Sequence, residues 1–202
     1  MIAIDLGSNT LRVLEYDCST GKQIAAYEKV VKTADGLAHY GSINTEATRR
    51  VILAIQEAQK QIDFSSSVVR AVTTEAVRRA VNSEKVLSQI KHQTGVAFDI
   101  ISGEEEARLT LLAVTHRLST LHFPSESFVL IDIGGGSTEL IFHYENETVS
   151  KSFPIGIVTI AQTYETLENI EKVLHQEMSE MQQFCEQIYR KKGKVNAFVA
   201  TA

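Results

Sequence analysis

The sequence predicts an α/β protein made of two related halves. Three observations carry that reading. First, Ile2-Ala3-Ile4-Asp5-Leu6-Gly7-Ser8-Asn9-Thr10 and Val129-Leu130-Ile131-Asp132-Ile133-Gly134-Gly135-Gly136-Ser137-Thr138 share one pattern: an apolar run, Asp, an apolar residue, Gly, then small polar residues. Second, a further apolar run follows each, Leu11-Arg12-Val13-Leu14 and Glu139-Leu140-Ile141. Apolar, turn, apolar is the pattern of a strand, a tight loop and a returning strand. Third, amphipathic helical stretches separate the two hairpins, so strands and helices are mixed along the chain.

Residues 1–32 read as three strands, with Asp17 to Lys22 turning the second into the third, Gln23 to Val31. Lys32 to Ile43 is a loop carrying Asp35-Gly36 and Gly41. A helix follows over about 45–62. Asn44 is its N-cap, and Ala47, Val51, Ala54, Ile55, Ala58 and Ile62 form one face. Ser67 to Val72 is a strand, Glu75 to Ala80 is helical, and Glu84 to Gln93 is a helix closed by Gly95. Val96 to Ile101 is another strand, and a helix runs from Ser102 to about Arg117.

The polar stretch His116 to Ser127, with Pro124, marks the expected boundary between domains 1–121 and 122–202. Phe128 to Ile133, Glu139 to Tyr144 and Val149 to Phe153 repeat the three-strand opening. Gly156 to Tyr164 is helical, a longer helix spans Leu167 to Lys191, and Val195 to Ala202 is a strand. The second half is shorter than the first, so the chain is expected to be part of a longer protein.

Bulk properties restrict function. With 202 residues, 44% hydrophobic and 22% charged, the chain has an ordinary globular composition. A net charge of -5 supplies no global basic field for nucleic acid or acidic membranes. Asp5 interrupts the N-terminal apolar run, and no run approaches a membrane span. Cys18 and Cys185 have no metal-ligand spacing and read as reduced thiols of a cytosolic protein. The six histidines show no zinc spacing, and Glu165, Glu168, Glu171 and Lys172 read as a solvated helix face.

The two loops are the first candidates for chemistry. Backbone N–H groups of Gly7, Ser8, Asn9 and Thr10, and of Gly134, Gly135, Gly136, Ser137 and Thr138, are arranged to form anion-binding nests, with the hydroxyls as further donors. Asp5 and Asp132 end strands beside these loops and, with Glu139, offer hard oxygen ligands to a magnesium-type ion. One such Asp would only cap its own turn; two matched ones favour metal or water positioning. Arg78 and Arg79 offer forks for phosphate oxygens, and helical geometry turns them about 100° apart, so one of them faces a ligand. Ser102 and Glu105 match a capping box. Glu106 leans toward the face of Leu109 and Ala113. It reads equally as a general base and as an ordinary first-turn glutamate.

Taken in order, these pieces resemble the exopolyphosphatase and guanosine pentaphosphate phosphatase family of the sugar kinase, heat-shock and actin superfamily. The resemblance rests on Ile4 to Thr10, Ala34-Asp35-Gly36-Leu37, Arg78 and Ala80 with Asn82, Ile101-Ser102-Gly103-Glu104-Glu105-Glu106-Ala107-Arg108, Ile131 to Glu139, and Pro154-Ile155-Gly156. It implies two ribonuclease-H-like, actin-type domains with a cleft between them. It also implies Glu106 as general base, Arg78 as phosphate contact, and Asp132 and Glu139 at a magnesium site. The implied substrates are polyphosphate or guanosine pentaphosphate, with a homodimer as a further expectation. Two departures stand beside it. The family continues past a strand like Val195 to Ala202 into a further Gly- and Thr-rich loop. Thr73-Thr74-Glu75-Ala76 also differs from the family's wording, which leaves the register of Arg78 against Arg79 open. An ATP-using kinase or ATPase of the superfamily, and a non-catalytic phosphate-ligand sensor, are the competing readings.

Overall fold

A computed structural model describes residues 1–65, 67–123 and 126–201. Pro124 of the predicted boundary segment and Ala202 of the predicted last strand lie outside the described residues. The chain divides into two compact units, Met1–Ile101 and Ser102–Ala202.

The first unit holds a five-stranded sheet: β1 (Ile2–Leu6), β2 (Thr10–Asp17), β3 (Lys22–Val30), β4 (Val69–Thr73) and β5 (Asp99–Ile100), in the order β3-β2-β1-β4-β5. β1 pairs antiparallel with β2 and parallel with β4. Ile2, Ile4, Leu6, Leu11 and Val13 alternate onto one buried face, as period-two side chains must. The β2–β3 turn is closed by Asp17, whose carboxylate accepts from the Ser19 N–H and hydroxyl and from the Thr20 hydroxyl. Those donors hold it well below the usual carboxylate range.

Among the described residues, four helices complete this unit. The predicted loop 32–43 contains a short helix, α1 (Leu37–Tyr40). In α2 (Thr45–Gln61), Asn44 accepts from the Ala47 N–H at 2.7 Å, and Ala47, Val51, Ala54, Ile55 and Ala58 are buried as the spacing predicts. α3 (Glu75–Arg79) is short, and α4 (Ser83–Thr94) ends at Gly95 in the left-handed conformation, φ 76°. The predicted strand 96–101 is reduced to β5. Asp99 and Ile100 pair with β4 and the Ile101 N–H donates to the Thr73 carbonyl at 3.0 Å, while Val96 and Phe98 are buried in the core.

The second unit repeats the plan with four strands, β6 (Phe128–Ile133), β7 (Thr138–Tyr144), β8 (Glu147–Phe153) and β9 (Ala197–Thr201), ordered β8-β7-β6-β9. The hairpin is again antiparallel and the returning strand β9 again parallel. α5 (Gly103–Thr120) covers one face: Ala107 and Val114 form a cluster with Phe128, Leu130 and Ile141, joined by Leu111 and Leu118. The other face packs Val129, Phe142 and Leu140 against Phe184, Cys185 and Ile188 of α8 (Ser179–Lys192).

α5 therefore belongs with the second sheet, and the compact units divide between Ile101 and Ser102, where the sequence analysis places the boundary after residue 121. The predicted helix 167–191 is two helices, α7 (Leu167–Glu177) and α8, which follow α6 (Ile157–Tyr164). They break at Met178, which packs against the cluster of Leu140, Phe153 and Met181. No Gly or Pro marks the break, so only packing reveals it. Among the described residues no helix is long and apolar enough to cross a membrane.

Candidate active site

Both hairpin loops close in the same way. The Gly7 N–H donates to the Thr10 carbonyl at 3.0 Å, and the Gly134 N–H to the Ser137 carbonyl at 2.9 Å. Each loop is then held from one side. The Ser8 carbonyl accepts from Ala34 N–H at 2.8 Å, and that of Asn9 from Val31 at 2.8 Å and Lys32 at 2.9 Å. In the second loop the Gly134 carbonyl accepts from Ile157 at 3.0 Å, and that of Gly135 from Val158 at 2.9 Å and Thr159 at 3.2 Å.

The first N–H groups of α6 are therefore spent on the loop. No peptide bond among the described residues is cis, and a trans peptide points its N–H opposite to its carbonyl. The N–H groups of Gly135 and Gly136 thus turn away from α6. Those of Asn9 and Thr10 likewise turn away from residues 31–34.

Gly156 permits the second arrangement. Its φ of -135° is available to any residue. A Cβ there would lie 2.4 Å from the Gly135 carbonyl carbon and 2.5 Å from the Gly136 nitrogen. Such a distance requires the backbone to move, so glycine serves close approach here. Ser8, Ser137 and Thr138 are buried. Of the predicted hydroxyl donors, that of Thr138 is committed to the Ile155 carbonyl at 2.6 Å, because β7 alternation places it on the face away from Glu139.

The carboxylates follow from sheet register. Asp132 is the direct cross-strand partner of Glu139. Both alternate onto the α5 face, in line with Leu130 and Ile141. Glu139 is 1% exposed. The Ser152 hydroxyl, directly opposite on β8, donates to Glu139 Oε1 at 2.7 Å. Asp132 accepts at Oδ1 from Thr201, its partner on β9, at 2.8 Å, and at Oδ2 from Thr110 of α5 at 3.2 Å. In the first unit Asp5 instead faces Arg12, which pairs with Glu28 at 3.4 Å. The matched aspartates therefore have unmatched neighbours.

α5 begins with Ser102 accepting from the Glu105 N–H at 3.1 Å. The reciprocal half of the predicted capping box is not made. Glu105 instead forms a two-point pair with Arg108, 2.7 Å at each oxygen, and Arg108 holds its carboxyl below the ordinary value. A charged fork three residues on is a stronger partner than a backbone N–H. The packed stripe of α5 is Ala107, Leu111, Val114 and Leu118; Ala113, on the predicted face, is exposed. Glu106 lies about 100° around the helix from Ala107, on the flank of Thr110, with its Oε2 shielded from solvent.

In the first unit Arg78 donates to the Ile101 carbonyl at 2.6 Å and to Glu75 at 2.5 Å, and its side chain is 26% exposed. Arg79 reaches the same Glu75 at 3.6 Å and is 49% exposed. Two carboxylates with hydroxyl neighbours suit a magnesium-type ion, which takes one or two carboxylates and completes its shell with water and phosphate. Among the described residues no three carboxylate, imidazole or thiol groups are grouped to enclose an ion alone.

Thr110, Thr201 and Ser152 are absent from the sequence reading. Ser152 and Thr201 become visible once strand register is known. Thr110 had one available signal, its spacing of four from Glu106.

Comparison with known proteins fits this architecture. The sequence profile of the Ppx/GppA phosphatase family matches residues 18–199. Exopolyphosphatase 1 of Mycobacterium bovis is 32% identical over 158 residues, covering 76% of this chain and 45% of that protein. The guanosine-5'-triphosphate,3'-diphosphate pyrophosphatase of Photobacterium profundum is 32% identical over 166 residues, covering 80% of this chain and 33% of that protein. The chain thus spans less than half the length of these relatives. The crystal structure of an exopolyphosphatase from Cytophaga hutchinsonii superposes with a TM-score of 0.85 at 23% identity, over 98% of this chain and 65% of that one. The expected actin-type α/β fold is the fold observed.

Proposed function

The chain belongs to the Ppx/GppA phosphatase family, and we propose that the full-length protein hydrolyses the terminal phosphoanhydride of inorganic polyphosphate or guanosine pentaphosphate. One observation carries the proposal. Glu106 lies one helical turn from Thr110, Thr110 bonds Asp132, and Asp132 faces Glu139 beside a loop with outward N–H groups. A base, a pair of cation ligands and an anion nest are thus contiguous in the chain's second unit.

Glu106 takes a proton from water, the water oxygen bonds to the terminal phosphorus, and the bridging P–O bond breaks to release orthophosphate. Asp132 and Glu139 would hold a divalent cation, with Asp5 added by its likeness to Asp132. That ion, when bound, neutralises phosphate charge. Asn9 and Thr10 in one loop, and Gly135 and Gly136 in the other, donate N–H groups to phosphate oxygens, with Ser8 and Ser137 as further donors, while Gly7 and Gly134 shape the nests by closing their loops. Arg78 adds a fork already oriented by Glu75 and Ile101. This division of labour is positioning and charge neutralisation, as phosphoryl transfer requires.

The test is orthophosphate release by the full-length protein from polyphosphate, guanosine pentaphosphate and ATP, side by side, with Glu106→Gln as control. Release from either of the first two, abolished in the control, supports the proposal. Release from ATP alone would replace it with an ATPase reading.

A further inference from the structure

We propose that Thr110 is a positioning residue that sets Glu106 against Asp132; this rests on the catalytic reading above. Three hydroxyls grip the carboxylate pair, from Ser152, Thr201 and Thr110. Ser152 and Thr201 are direct cross-strand partners of Glu139 and Asp132, so sheet register alone delivers them. Thr110 comes from α5 and ties the helix that carries Glu106 to the sheet that carries Asp132.

The behaviour of the other threonines in α5 sharpens the point. Thr115 donates to the Leu111 carbonyl at 2.8 Å, and Thr120 to the His116 carbonyl at 3.0 Å. That back-bond to the preceding turn is the ordinary helical use of a hydroxyl. A hydroxyl has one hydrogen to give, and Thr110 gives it to Asp132 at 3.2 Å.

α5 also packs on the sheet through apolar side chains, Ala107, Leu111, Val114 and Leu118 on Phe128, Leu130 and Ile141. Apolar burial is non-directional and does not by itself fix a helix against rotation or a small slide. A hydrogen bond one turn from Glu106 does. Misplacement by about 1 Å is enough to cost a reaction on the order of 100-fold. The same bond, with that of Thr201, sets the plane of the Asp132 carboxylate while using two of its roughly four acceptor positions.

The test uses Thr110→Val and Thr110→Ser in the full-length protein. Valine keeps the shape and removes the hydroxyl; serine restores the hydroxyl without the methyl. Turnover and KM are measured with whichever of polyphosphate and guanosine pentaphosphate the release assay selects, manganese affinity is measured by titration without substrate, and melting temperature reports folding. Thr110→Val is expected to lower turnover by about 10-fold with KM unchanged, and to weaken manganese binding, within the range for outer-shell partners of metal ligands. Thr110→Ser is expected to recover both.

Wild-type turnover and manganese affinity in Thr110→Val would overturn the inference. So would equal losses in both variants, which would assign the role to the methyl group. Glu106→Gln separates the two levels. If it is inactive while Thr110→Val is normal, the positioning role alone fails. If it is fully active, the catalytic reading fails and the positioning role with it.

Discussion

Asp132 and Glu139 face each other directly across the β6–β7 hairpin, on the face covered by α5. Like charges directly opposite on neighbouring strands are destabilising, by a few tenths to about 1 kcal/mol. Here the pair is embedded in hydroxyl donors. A divalent cation held as proposed above would relieve the repulsion between them. In the first hairpin the corresponding aspartate, Asp5, stands opposite an arginine, Arg12.

Glu139→Gln is therefore expected to leave the metal-free protein as stable as wild type or slightly more so, since glutamine can still accept from Ser152. Magnesium or manganese is expected to raise the melting temperature of the wild type, and Glu139→Gln to lose most of that rise. Thermal scans with and without the ion check this. A full ion-dependent rise in Glu139→Gln would remove Glu139 from the ligand set.

Glu105 and Glu106 are neighbours with different surroundings. Glu105 is paired with Arg108, and Glu106 lies on the flank of Thr110. Glu106→Gln is expected to reduce turnover by about 10²–10⁴-fold, the usual contribution of a positioned base, with substrate affinity nearly unchanged. Glu105→Gln is expected to change turnover little. Steady-state kinetics of both in the full-length protein check the helical phase as well as the chemistry. A loss confined to Glu105→Gln would displace Glu106 from its role.

Arg78 and Arg79 share Glu75 as a partner but differ twofold in exposure. Arg78→Ala is expected to weaken substrate binding by about 1.5–3 kcal/mol, the value of a hydrogen bond to a charged group. Arg79→Ala is expected to have a much smaller effect. Equilibrium binding of a non-hydrolysable analogue measures both. The reverse order would shift the register of the phosphate contact by one residue.

Gly156→Ala places a methyl 2.4 Å from the Gly135 backbone. The expected cost is at the upper end of overpacking, about 3 kcal/mol or more, with the second loop pushed off α6. Chemical denaturation reads the first effect and orthophosphate binding the second. An alanine variant of unchanged stability would show that the close approach relaxes without cost.

The sequence by itself determined the repeated hairpin, the helix caps at Asn44 and Ser102, and the buried face of α2. Each of these is local. Period-two alternation, a capping side chain and a 3.6-residue stripe are written within a few consecutive positions. By type and spacing it offered Asp132 and Glu139, left Glu106 even between two readings and Arg78 level with Arg79, and only the family resemblance chose Glu106 and Arg78.

Only the tertiary structure decided their neighbours. Whether an aspartate at a strand end faces a glutamate or an arginine depends on cross-strand register, as Asp132 and Asp5 show. The break at Met178 and the shortening of β5 follow from side chains packing onto a sheet, with no Gly or Pro to announce them. The face of α5 is the clearest case. Leu109 and Ala113 are as apolar as the residues that pack, and only the position of the sheet selects Ala107, Leu111, Val114 and Leu118. That choice carries Thr110 to Asp132, because a contact between residues 22 apart is settled by how a helix docks and by nothing in the intervening chain.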